Sequence, residues 1–146
     1  MADNNTACLD TATWIESLVR LSDRTGGDAP VENCLRLSRH LCVLAPPPFD
    51  RIVACRIDEA AFEELLTQEA FEAAAAALIG PPLSHEIVSR SASTASARVW
   101  SEGQPGEALA HAPTAARALV LAWAGFLLSL QPGRDVQATG NSHRSA

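Results

Sequence analysis

The sequence predicts an α+β protein, a single domain in which a small antiparallel sheet of about three strands is packed by about four helices. Three observations point there. A chain of 146 residues, 47% of them hydrophobic, suits one core and is too short for two ordinary domains. Four stretches place apolar residues at helical spacing and are bounded by capping residues, glycines and prolines. The intervening runs are rich in β-branched residues or alternate in polarity, and each is too short for a long helix.

Residues 1–10 read as a flexible leader, 11–130 as the domain and 131–146 as a disordered tail without apolar period. The first helix is expected to begin at Thr13-Trp14-Ile15-Glu16, where a threonine hydroxyl and a glutamate can satisfy the first free amides reciprocally. Ile15, Leu18, Val19 and Ser22 would form its apolar face, and Gly26-Gly27 a left-handed exit. Asp28 then offers a cap and Pro30 a first-turn proline for a second helix, whose stripe is Val31, Cys34, Leu35, Ser38, Leu41 and Cys42. Pro46-Pro47-Pro48 ends it.

Residues 49–57, Phe-Asp-Arg-Ile-Val-Ala-Cys-Arg-Ile, read as a strand. Asp58 caps a third helix that runs through Ala73 to Ala77 and stops at Gly80-Pro81-Pro82. Two alternating runs between Ser84 and Ser101 form a hairpin turning at Ala92-Ser93, and the mixture of serine and alanine fits a sheet covered on one face only. Residues 102–112 read as a polar connection. Pro113 starts the last helix, 114–130, in which Ser129 is the sole polar residue after Arg117. So apolar a helix needs burial in a core, an interface or lipid, and Arg117 interrupts it too early for a membrane span of roughly 20 residues.

The formal net charge is −6, all 11 cationic residues are arginine, and 27 residues are alanine while tyrosine is absent. GC-rich coding produces such a bias, so the arginines are not read as selected for phosphate. An acidic chain repels nucleic acid and anionic membranes on average, which makes both poor candidate partners. The chain opens with the polar run Met-Ala-Asp-Asn-Asn-Thr and no apolar signal segment, so a reduced cytoplasmic setting is expected, with Cys8, Cys34, Cys42 and Cys55 as small buried hydrophobes.

The sequence Leu18-Val19-Arg20-Leu21 followed by Thr25-Gly26-Gly27-Asp28, then Pro48-Phe49 and an Ala-rich helix, then a hairpin leading to Ala112-Pro113-Thr114-Ala115-Ala116-Arg117-Ala118-Leu119, resembles the small α-β-α sandwich proteins of tailed phages and prophages. The resemblance covers roughly residues 14 to 128. It implies a fold and a mobile-element setting, and it carries over no catalytic residues. The departure is the hairpin, where Trp100 is the sole aromatic residue.

Cys34, His40, Cys42, Cys55, His85 and His111 are zinc-ligand types, but no two cysteines are separated by two residues, so neither a metal nor another cofactor is expected. His85 beside Glu86 and His111 before the last helix are generic as bases, and no Gly-x-Ser-x-Gly elbow is present. Asp58, Glu59, Glu63, Glu64, Glu69 and Glu72 read as a solvated helix face. Arg51, Arg56, Arg90 and Arg98 fall on expected strands and would form an anion or nucleic-acid face, or else pair with Glu86, Asp50 and Glu102. Trp123, Phe126, Leu127 and Leu130 on the last helix form the candidate homodimer interface. These readings favour a small accessory protein acting through protein contacts, as a homodimer or with another protein. The alternatives are a nucleic-acid-associated regulator using the strand arginines and a small enzyme with an unrecognised site.

Overall fold

Helix α1 (Thr11–Thr25) starts earlier than the threonine-glutamate spacing suggests, because the carboxylate of Asp10 accepts a hydrogen bond from the Thr13 amide at 3.2 Å and takes the cap position itself. The computed structural model describes residues 10–53 and 57–130; apart from Asp10, the expected leader and tail lie outside them. The buried face of α1 is Trp14, Leu18, Leu21 and Thr25, while Ile15 is half-buried and Val19 is 42% exposed. Trp14 sets that rotation. Its indole N–H donates to the Leu41 carbonyl at 2.9 Å, and its ring lies 4.7 Å from that of Phe49. The exit of α1 is not left-handed: Gly26 keeps φ −78 and returns its amide to the Ser22 carbonyl, and the Gly27 amide bonds to that of Arg24.

Helix α2 (Val31–Val43) buries Cys34, Leu35, Ser38, Leu41 and Cys42, as its spacing predicts. Pro30 rather than Asp28 occupies the cap position, with no side-chain cap bond. The strand expected over 49–57 is not formed among the described residues. Phe49–Arg51 is instead a turn of 3-10 helix. The amides of Asp50, Ile52 and Val53 bond back to the carbonyls of Pro46 and Phe49, so they are spent locally rather than in a ladder. Phe49 itself is 1% exposed and plugs the core against Trp14.

The single helix expected after Asp58 is two, α3 (Glu59–Thr67) and α4 (Phe71–Ala77). Asp58 does cap the first, accepting from the Ala61 amide at 2.8 Å. The break is at Glu69, whose φ of 57 is left-handed. The Ala70 amide reaches back to Leu65 and the Glu69 amide to Leu66, the paired bonds that close a helix end. Turning the chain here lets Phe62 and Leu66 of α3, and Ala74 and Ala75 of α4, all reach the core.

Strands β1 (Leu83–Arg90), β2 (Ala95–Ser101) and β3 (Glu107–Ala112) form one antiparallel sheet in the order β1-β2-β3. The expected hairpin is β1-β2, closed by the Ser91 amide on the Thr94 carbonyl and interrupted by a bulge between Ile87 and Ser89. The third strand is β3, in the stretch that reads as a polar connection. Ala108, Ala110 and Ala112 turn inward from it, because α5 (Ala115–Ser129) lies against this part of the sheet. The other side of α5 meets α1, α2 and α4, so the helices gather on one side of the sheet. Ten residues of α5 are buried.

Helix α5 begins one residue later than Pro113 suggests, because Thr114 takes the cap position, its Oγ1 accepting from the Arg117 amide at 3.3 Å. The Arg117 guanidinium donates to the carbonyl of Thr25 at 3.0 Å and to that of Ala29, fastening the end of α1 and the approach to α2 onto α5. Trp123 and Phe126 are 1% exposed and Leu127 0%, and Leu130 is half-buried. The first three are thus covered within one chain, which corrects their assignment to a subunit interface.

Glu69→Gly should stabilise the protein by up to about 1 kcal/mol, since a β-carbon is disfavoured in the left-handed region and the exposed carboxylate makes no contact that the turn depends on. Urea denaturation of the two proteins measures it; an unchanged or lower midpoint would show that Glu69 holds the break by its side chain.

Candidate functional site

Alternation along the strands divides the sheet into a covered and an open face. Ala95, Ala97 and Val99 of β2 point to α5 and are buried. The open face is built of three cross-strand rows: Ser84, Trp100 and Glu107; Glu86, Arg98 and Leu109; and Ser89, Ser96 and His111. No described helix lies over these rows.

Arg98 is at the centre. Its guanidinium donates to Glu86 at 2.8 Å and to Glu107 at 3.1 Å, and its carbon lies 4.5 Å from the centroid of the Trp100 ring. The Glu86 hydrogen bond is the main reason its pKa is raised above the ordinary arginine value. Two carboxylates for one guanidinium leave the cluster formally anionic. In the third row Ser89 Oγ donates to Ser96 Oγ at 3.0 Å, and Ser96 Oγ lies 2.8 Å from His111 Nδ1. Such a chain can pass or fix a proton, but Ser96 is 7% exposed and its oxygen is occupied on both sides, which leaves little approach for a substrate carbonyl.

The four arginines read as an anion surface are not brought together. Arg51 is on the 3-10 turn, Arg56 lies outside the described residues, and Arg98 is enclosed by glutamates. Arg90 reaches off the sheet to Glu72 at the start of α4, through two bonds of 2.9 Å. Of the pairings expected for these arginines, Glu86 is present, and Glu107 stands where Glu102 was expected.

The acidic run is spread over two helices: Glu63 pairs with Arg36 at 2.9 Å, Glu64 accepts from Gln68, and Glu72 holds Arg90. Among the zinc-type residues, Cys34 and Cys42 are buried on α2, His40 and His111 are exposed, and Cys8 and Cys55 lie outside the described residues. The described residues contain no group of three or more His, Cys, Asp or Glu arranged to hold a metal ion. A concavity of about 610 Å³ is lined by Val31, Glu69, Phe71, Glu72, Arg90 and Arg117 among others, and it gathers none of the histidines or cysteines. Both of its arginines are already engaged.

Leu109 is 54% exposed and Val88, at the bulge, 49%, two of the four most exposed large hydrophobic side chains described. Both belong to the sheet, and the sequence pattern of 107–112 held the signal for Leu109: polar or large residues alternate with alanine there. No protein-family model, curated protein or solved structure matches the chain. No described helix is long and apolar enough to cross a membrane.

The hydrogen bond from Arg90 holds the Glu72 carboxyl below its ordinary pKa. A lowered folded value means that the pair stabilises the protein above the ordinary glutamate range and ceases to do so as pH falls through the folded value. Arg90→Gln should therefore be less stable than the parent at pH 7, with the difference closing in acid. Denaturation midpoints across that range check it, and a difference independent of pH would place the role of Arg90 in packing.

Proposed function

We propose that the protein is a small non-enzymatic accessory module that works through protein contacts made by the uncovered part of its sheet. The observation that carries this reading is the exposure of Leu109, one strand over from Trp100, on a layer whose other face packs against α5. Fully burying a leucine is worth about 1.5–3 kcal/mol, so a strand that presents one to solvent forgoes a gain that a partner would recover. Electrostatics favours the same class of partner. The cation of the face is neutralised twice over and the chain is acidic, so phosphate backbones gain nothing from it. The setting that the phage resemblance implies plays no part in this reading.

A photo-crosslinking residue in place of Leu109 should give discrete protein adducts in cells, and the same residue in place of Val19, exposed on α1, should not. Equal labelling at the two positions, or labelling of nucleic acid at 109, would contradict the proposal.

A further inference from the structure

We infer that the partner of this layer is a second copy of the chain, joined along the outer edge of β3 into a continuous six-stranded antiparallel sheet. The inference rests on the preceding reading and names its partner. β3 is an edge strand, and among the described residues nothing pairs with its outer side. Edge strands are ordinarily guarded by bulges, prolines or lysines. The opposite edge, β1, has a bulge at Ile87/Ser89 and ends on Arg90, tied to Glu72; β3 has neither proline, lysine nor bulge from Glu107 to Ala112.

Register supplies the argument for self-pairing. A two-fold axis normal to the sheet keeps the open faces together, so odd-numbered residues of β3 must meet odd-numbered residues of the copy. Centred on Leu109, that pairing sets the most exposed large apolar residue against itself and places Glu107 opposite His111 of the second copy, twice. The Ser89-Ser96-His111 chain suits this role. With Ser89 donating to Ser96, the Ser96 hydroxyl is free to donate to Nδ1, which assigns the ring proton to Nε2 as a donor for the facing carboxylate.

The covered face agrees. Ala108 and Ala110 are half-buried, as are Leu121, Gly125 and Leu128, which share one side of α5 at helical spacing. A β-carbon placed on Gly125 would meet the Ala108 β-carbon at 3.8 Å, so this side of α5 overhangs the edge strand. It stays half-exposed because the sheet ends beneath it, and none of these five residues is charged. A second copy would cover the strip with its own and satisfy the backbone edge in one step.

Light scattering on the full chain should give twice the 15.4 kDa chain mass. Leu109→Glu sets two carboxylates face to face and should halve that mass. Leu109→Cys under mild oxidation should yield a 109-to-109 linked peptide by mass spectrometry, and Val19→Cys no counterpart; this readout stands even if the charged variant does not fold. A parent protein of single-chain mass, or a dimer that survives Leu109→Glu without the 109-to-109 link, overturns the inference. If such a monomer still forms adducts with other proteins from position 109, the contact surface stands and only the identity of its partner fails. If it forms none, both fail.

Discussion

A helix that is apolar on nearly every side has to be wrapped, and the rest of this structure is arranged around that constraint. α5 buries ten residues, more than any other element. Three strands cover one side of it, and α1, α2 and α4 the others. Because the sheet spends one face on α5, and the helices pack on the far side of α5, the second face of the sheet is left uncovered. The candidate contact surface is thus a consequence of how the core is closed. The small residues follow from the same demand: Ala108, Ala110 and Gly125 permit the helix to approach an edge strand closely, where a larger side chain would hold it off.

Polar groups are reconciled with this core at a few points. Arg117, the one charged residue of α5, lies at the helix end where its guanidinium can reach the carbonyls of Thr25 and Ala29. Thr25 and Ser38, both buried within helices, return their hydroxyls to the carbonyls four residues back. Trp14 satisfies its indole N–H on Leu41. Trp123 does not: its Nε1 is buried without a hydrogen-bond partner, and nothing in the structure explains it. Such a group costs about 1–3 kcal/mol, which the burial of a whole indole, worth about 4–6 kcal/mol, outweighs.

Elements governed by a strong local period could be read from the sequence. The stripe of α2, the apolar α5 and the β1-β2 hairpin are in place because their spacing leaves one solution. Where a tertiary contact decides, the sequence misleads. Trp14 turns α1 by finding Leu41 and Phe49, and Phe49 gives up a strand to serve as a core plug. Glu69 breaks a run of good helix formers in a conformation that nothing in its own chemistry favours. β3 escapes notice because its inward residues are alanines, weak strand formers chosen by the nearness of α5. The site shared part of that fate: Arg98 and its pairing with Glu86 were visible, but the pairing with Glu107 depended on β3, a strand that only the packed structure reveals.

Native-state hydrogen exchange tests directly whether α5 is the centre of the core. The amides of Ala118 to Leu127 should be among the slowest in the chain and should share one exchange free energy equal to that of global unfolding. Exchange of α5 through a smaller opening, while β2 and α1 remain protected, would contradict the account.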